Sequence, residues 1–383
     1  MKGIIIGAGI GGLTTAIALQ KAGIDFEIME AAPELKPVGA GIVMASNAMQ
    51  VFKRLGIEQD IISAGQEVAE AYGTDEAFNV ISGLRVKQVV VPIYGMGSYA
   101  LHRGRLQQVL LSKLQGKTVQ LNRRLSSVKQ EGEGVFATFE DQITAEADFI
   151  IGADGIKSAV RKSLMGEIPY RYTGQTCWRG MADFSLPQAQ RNISYEMWGR
   201  ERGLRFGYVP TADNEVYYFT TYFTPANGRD EPGKVKQTLL KLYSRFGKWP
   251  AQLIEATPED KIIRSDISDF IPLKQWSKGQ IALMGDAAHA TTPNLGQGGC
   301  QAVEDAFVIA QCLKEEKSVE NAFQRYQAIR YEKAKYVVDT SWRFSELTNI
   351  KNPILQKLRN ILLKSLPERM ALSALKKIFY LNY

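Results

Sequence analysis

A strand, a glycine turn and a helix within the first two dozen residues constrain this chain more than any other feature. Gly3-Ile4-Ile5-Ile6 reads as a buried strand and Gly7-Ala8-Gly9-Ile10-Gly11-Gly12 as a tight turn. Leu13 to Lys21 then reads as a helix stopped by Gly23. Gly7 permits the turn, Gly9 lets the backbone approach a pyrophosphate, and Gly12 lets the helix pack on the strand. Phosphates would face the N–H groups of the helix start. A second apolar strand, Asp25 to Met29, ends at Glu30, an acid about 20 residues further on and suited to ribose hydroxyls. The unit is β-α-β with parallel strands, and Glu30 disfavours a 2′-phosphate on the bound nucleotide because like charges would meet.

Two later segments also end an apolar strand in an acid and glycine. Asp148 to Gly152 leads through Ala153-Asp154-Gly155 into a helix that includes Arg161, and Ile281 to Met284 leads into Gly285-Asp286-Ala287-Ala288-His289. An acid just past a parallel strand sits where such sheets bind ligands, so Asp154 and Asp286 are candidate cofactor contacts. Pro293-Asn294-Leu295-Gly296-Gln297-Gly298-Gly299 follows, with free N–H groups at a helix start that suit a negative charge.

Between these segments, residues 172–225 are strand-rich and aromatic, which predicts one antiparallel sheet with an apolar pocket. Arg205 and Tyr217 are its candidate substrate residues: if their register matches, a cation and a phenol would orient a planar anionic or enolic ligand. Elsewhere, residues 43–65, 104–114 and 235–246 read as helical, Leu84 to Pro92 as antiparallel strand, and the chain from Val303 onward as mostly helix.

Composition narrows the class. A chain of 383 residues, 45% hydrophobic and 23% charged, is globular and long enough for about two domains. Cys177, Cys300 and Cys312 have no metal-ligand spacing, so zinc is not expected, and the odd count suits a reducing cytoplasm. The first strand begins too close to Met1 for a secretory signal. Of the net charge of +7, residues 351–383 carry most, with seven basic side chains against Glu368, so no nucleic-acid partner is expected. No apolar run reaches the roughly 18 residues of a membrane span. The basic tail is amphipathic through Leu355, Leu358, Leu362, Leu366, Leu372 and Leu375. It is expected to cap the body and not to lie on anionic membrane, because Pro353 and Pro367 interrupt its face.

His102 and His289 are the only histidines and read as structural or positioning groups, and Cys300 as packing. Neither a Ser-His-Asp arrangement nor H-E-x-x-H is present, which removes support for hydrolytic or metal-dependent chemistry.

In order and spacing, the three glycine and acid segments resemble the group A flavoprotein monooxygenases, the family of para-hydroxybenzoate hydroxylase, across most of residues 1–330. The run Gly285 to Ala306 is especially similar to the branch of zeaxanthin epoxidase, 3-hydroxybenzoate 6-hydroxylase and FAD-dependent urate hydroxylase. The resemblance implies that FAD is held by Gly7, Gly9 and Gly12 at its ADP part, Glu30 at the ribose, Arg103 at the phosphates, and Asp286 at the ribityl chain. Gly296, Gln297 and Gly298 would meet the flavin pyrimidine edge, with Pro293 near the ring. Asp154 and Gly155 match a segment used for FAD and for a visiting NADH or NADPH.

Ala31 and Ser46 depart from the family pattern, which often has a basic residue and a proline there, and Ala31 removes one contact to the adenosine half. The implied reaction inserts one atom of dioxygen into a small aromatic or heteroaromatic substrate through a flavin C4a-hydroperoxide. Alternatives on the same scaffold are an epoxidase of an apolar polyene or a tetracycline-type drug oxygenase. From another class comes a flavin-bound structural or sensory protein without turnover. The flavin-halogenase motif W-x-W-x-I-P is absent. Substrate, nicotinamide preference and oligomeric state are not legible.

The expected fold is α/β: a doubly wound Rossmann-like FAD domain (1–68, 101–170 and 272–330) interleaved with an antiparallel-sheet substrate domain (69–100 and 171–271). C-terminal helices (331–383) complete it.

Overall fold

The computed structural model describes residues 1–36, 39–365 and 368–383. Its first layer is a six-stranded sheet in the order Ser277–Lys278, Ile281–Leu283, Phe149–Gly152, Lys2–Ile6, Asp25–Met29, Val119–Gln120. All neighbours are parallel except the edge strand Ser277–Lys278. The central strands are continuous apolar runs because helices cover both faces, and Ile5, Phe149, Ile150 and Ile151 have no exposed surface. Each such side chain contributes about 1.5–3 kcal/mol by leaving water. The Ile10–Ala22 helix packs along Gly298–Glu315, so the first and third glycine segments face one another across the sheet ends.

The second layer is a seven-stranded sheet in the order Ile263–Asp269, Arg171–Asp183, Glu215–Phe223, Arg205–Ala212, Ile193–Trp198, Glu70–Asp75, Val80–Leu84. It is antiparallel except where Ile193–Trp198 runs parallel to Glu70–Asp75. One face packs Phe206, Tyr218 and Trp178 on the helices Val235–Leu242 and Lys248–Glu255. The other face looks toward the first layer. A small sheet of Gly41–Met44, Ser98–His102 and Gln66–Val68 joins the two.

The sequence reading differs from the fold along several segments. Leu84 to Pro92 is not antiparallel strand: after Leu84 the chain forms a wide helical turn, Val86–Val90, and a short helix, Val91–Tyr94. Val86 and Val90, four residues apart, are buried together on one side of that turn, and Pro92 fits a helical first turn but could not donate to a strand ladder. Residues 43–65 are not one helix, because a strand precedes Ser46–Leu55 and Gly56, at φ 80°, separates it from Glu58–Ala64.

Two long helices, Gly298–Glu315 and Val319–Thr348, lead to Pro353–Lys364 and Glu368–Phe379. The expected break near Pro367 falls beside residues 366–367, which lie outside the described residues, as does Leu366. Pro353 does not interrupt a helix; it occupies the first turn of one, capped by the Asn352 side chain on the N–H groups of Ile354 and Leu355. No helix among the described residues is long and apolar enough to cross a membrane.

Candidate functional site

At the end of the Lys2–Ile6 strand, Gly7 has φ 105° and passes the chain into the helix at Ile10. A Cβ on Gly12 would stand 1.9 Å from the Gly7 carbonyl oxygen, so backbone meets backbone there and only glycine fits. A Cβ on Gly9 would meet nothing within 4 Å, because that residue faces open space. The Glu30 carboxylate accepts N–H groups from Ala8 (2.7 Å) and Ala32 (2.9 Å), which fixes it beside the turn. Gln107 donates to the Ala8 carbonyl at 2.8 Å from the adjoining helix, whose first residue is Arg103.

These residues begin a groove of three joined cavities. The outermost, about 440 Å³, is lined by Gly9, Glu30, Arg103 and Gln107. The middle one, about 300 Å³, shares Gly9 and Arg103 with it and adds Gly155, Asp286 and Gly298. The innermost, also about 300 Å³, shares Asp286 and Gly298 with the middle one and opens against the seven-stranded sheet.

The Asp286 carboxyl faces this groove and has no hydrogen-bond partner among the described residues. Asp286 is exposed to the groove, while the protein packed around it raises its pKa from the ordinary aspartate value by desolvation, partly offset by His289 and Arg103. Its turn is held from behind by a buried ionic cluster. Asp305 accepts the Gly285 N–H (2.9 Å), His289 Nε2 (2.6 Å) and Arg330 Nε (2.8 Å), all within the core. Burial alone would raise the Asp305 pKa, yet His289 and Arg330 hold it well below the usual carboxylate range. Arg330 also binds Glu304 (2.6 Å), which accepts Asn47 (2.6 Å), and Asn47 in turn donates to Gln297 (2.9 Å) on the groove wall. Removing one member of such a cluster strands a buried charge, at a cost of about 3–5 kcal/mol.

At the inner end the wall changes from backbone to side chains. Register pairs Arg205 with Thr221, Val209 with Tyr217 and Trp198 with Arg205, so Arg205, Tyr217, Phe219 and Thr221 share the groove-facing side. Arg205 is only 2% exposed. It donates to Thr221 (3.2 Å), Glu196 (3.0 Å) and Asn294 (2.7 Å), which uses three of its five N–H groups. The Tyr217 ring lies against the backbone of Gly41, where a Cβ would come within 2.3 Å of it. Burial raises the Tyr217 pKa well above its ordinary value, while neighbouring Arg179 partly offsets this. Opposite the sheet, Pro293–Leu295 forms one 3₁₀ turn ending at Gly296, and the Gly298–Glu315 helix starts with its free N–H groups at the cavity.

The groove thus brings together Gly9, Glu30, Arg103, Gly155, Asp286, Pro293, Gly296, Gln297, Gly298, Arg205 and Tyr217. Gly7 and Gly12 shape it from beneath. Asp154 is different: its Oδ2 accepts the Val160 N–H (3.1 Å) within its own turn and its Oδ1 is buried without a partner among the described residues. The histidines are structural by geometry, His102 accepting the Gly104 N–H (3.0 Å) at a helix start and His289 binding Asp305. Cys300 is buried and its pKa is pushed up to about 12, so the thiol packs and is not poised to react.

Among the cavity residues that the sequence does not single out are Arg179, Glu196 and Asn294. Alternation along Arg171–Asp183 places Cys177 and Arg179 opposite Trp178, which was the available signal for Arg179. Glu196 and Asn294 are recognisable only through Arg205, which they flank from two distant segments.

A mainly parallel sheet carrying a groove at its strand ends, closed at the inner end by a second sheet, is the architecture of a dinucleotide-binding protein. The chain belongs to the FAD binding domain family, which it matches over residues 1–341. It is 42% identical over 352 residues to an aurachin C monooxygenase/isomerase from Stigmatella aurantiaca, covering 91% of this chain and 90% of that protein. It is 31% identical over 376 residues to a 2-heptyl-3-hydroxy-4(1H)-quinolone synthase from Pseudomonas aeruginosa, covering 96% and 94%. Its fold is similar to that of Klebsiella pneumoniae HpxO complexed with FAD and uric acid, with a TM-score of 0.89, 28% identity, and coverage of 98% and 96%. The protein is an FAD-dependent monooxygenase that uses NADH or NADPH as co-substrate.

Proposed function

We propose that the enzyme hydroxylates a planar, electron-rich heteroaromatic substrate bearing an acidic or enolisable ring oxygen. The observation that carries this reading is Arg205, a buried guanidinium on the cavity wall whose three protein contacts leave two N–H groups free. A cation held that rigidly suits a flat, delocalised anion better than a neutral polyene. The bound uric acid of one relative and the quinolone in the name of another are both fused nitrogen heterocycles.

FAD would occupy the groove through a chain of contacts. Gly7, Gly9 and Gly12 would cradle the pyrophosphate against the helix at Ile10, which has no acidic side chain in its first turn. Glu30 would take the ribose hydroxyls, Arg103 the phosphates, and the unpartnered Asp286 carboxylate a ribityl hydroxyl. Gly155 would line the middle of the groove, with Asp154 shaping its turn. Reduced by the nicotinamide nucleotide, the bound flavin supplies the activation of dioxygen. The backbone N–H groups near Gly296, Gln297 and Gly298 would favour negative charge on the flavin edge, while Pro293 would limit water beside it. Arg205 and Tyr217 would hold the substrate oxygen, lowering the cost of its anionic form as the ring accepts oxygen.

The test is NAD(P)H consumption by the purified yellow protein with phenols, fused heterocycles such as urate and 4-quinolones, and polyenes. Fused heterocycles are expected to accelerate oxidation and yield hydroxylated product. Preferential oxygenation of a polyene, or slow oxidation unaffected by every compound, would overturn the reading.

A further inference from the structure

The Pro353–Lys364 helix is packed the wrong way round for a simple cap. The side toward the body is polar: Gln356 donates to the carbonyls of Arg200 (3.0 Å) and Ile350 (2.7 Å), and Arg359 donates to Leu347 O (3.0 Å) while stacking 4.7 Å above Trp198. Both are buried at 7% exposure. On the opposite side Ile354, Leu355, Leu358, Ile361 and Leu362 form one stripe at helical spacing, and each is between 49% and 75% exposed. No element among the described residues covers them. A helix that caps a core turns such residues inward, and a contiguous exposed stripe of this kind marks a contact surface.

We propose that this helix docks on an anionic lipid surface, apolar stripe downward. Charge complementarity selects that occupant. Residues 351–365 contain no aspartate or glutamate, and exposed Lys351, Lys357 and Lys364 accompany the stripe, with Lys376 and Lys377 on the next helix. Lysines beside an apolar face are suited to phosphate headgroups while the leucines and isoleucines enter the acyl boundary. A second copy of this chain would bring the same lysines face to face.

The docked helix also touches the catalytic sheet. Arg359 stacks on Trp198, Trp198 Nε1 donates to Glu196 (2.8 Å), and the same Glu196 oxygen binds Arg205. The surface is therefore placed to bring a lipid-dissolved substrate close to the cavity. Docking itself does not depend on the substrate class proposed above.

The experiment is flotation of the FAD-loaded protein with phosphatidylcholine vesicles, with and without phosphatidylglycerol. The protein should float only with phosphatidylglycerol, and added salt should release it. Ile354→Glu with Ile361→Glu should abolish flotation with FAD content and melting temperature unchanged. Lys357→Glu with Lys364→Glu should weaken it by more than tenfold, since each basic side chain near such a surface contributes about fivefold. Wild-type protein that stays in solution at low salt, or glutamate variants that float as well as wild type, would overturn the proposal. So would a lipid-free dimer that the isoleucine variants convert to monomer, because a second copy would then be the occupant.

Discussion

The outer and inner ends of the groove are built from different materials. At the outer end the floor is backbone: Gly7, Gly9 and Gly12 put no side chain between a ligand and the helix start, the Gly7 carbonyl sits where a Gly12 Cβ would be, and Glu30, Arg103 and Gln107 stand around that floor. At the inner end the wall is side chains projecting from a sheet, with Arg205, Tyr217, Phe219 and Arg179 on one face. A backbone floor would meet what every FAD shares, and at Gly12 it leaves no room for a side chain. Side-chain walls can be exchanged while the sheet stays intact, which suits a scaffold whose relatives bear different substrate names.

The sharpest test adds one methyl group to each end. Gly12→Ala would force its Cβ against a carbonyl oxygen that cannot move, so at least ~3 kcal/mol of stability and all bound FAD should be lost. Gly207→Ala meets only the Phe219 ring, at 2.2 Å, and that ring can turn into the cavity. It should cost about 1–3 kcal/mol and raise KM for substrate while FAD content stays full. Melting curves and flavin absorbance read both outcomes. Equal FAD loss in the two variants would erase the distinction between the ends.

Arg205→Lys probes the inner end alone. A lysine cannot hold Thr221, Glu196, Asn294 and a ligand at once, so kcat/KM should fall about 100-fold or more while FAD remains bound. Steady-state kinetics with flavin quantitation decide it, and retained kcat/KM would remove Arg205 from substrate binding.

Asp286→Ala probes the junction. Losing a charged hydrogen bond should weaken FAD by about 10–100-fold, measured by fluorescence titration of the deflavinated protein. Full FAD occupancy after purification and dilution would show that the carboxylate points at the groove without serving the cofactor.

How far the sequence was legible follows the same division. The glycine turn, Glu30 and Asp286 could be placed at one groove because each lies at a fixed distance from a strand end, which is local information. Arg205 and Tyr217 could be nominated but not joined, because their shared face depends on the pairing of Val209 with Tyr217 across two strands. Glu196 and Asn294 reach Arg205 from separate segments, a relation that no local pattern carries. Leu84 to Pro92 was misread since alternation and a single buried turn look alike over so few residues. In the tail the amphipathic pattern was visible, but not which face turns inward. That was decided by Trp198, which gives Arg359 a surface to stack on.

The smallest effect expected is at Tyr217, and it sharpens what a side-chain wall does. Tyr217→Phe removes one hydroxyl and leaves the ring packed on Gly41, so stability and FAD content should not change. If the hydroxyl holds the substrate oxygen, kcat/KM should fall about 3–10-fold, the worth of one neutral hydrogen bond. The pH profile separates this role from a catalytic base. Burial raises the Tyr217 pKa above its ordinary value, so the hydroxyl stays protonated, and remains a donor, past the pH near 10 where a free tyrosine ionises. Wild type and Tyr217→Phe should therefore show profiles of the same shape up to about pH 10, offset by a constant factor. A step near that pH in wild type that vanishes in the variant would mean that Tyr217 ionises in the site, and that the inner wall acts as a base as well as a mould.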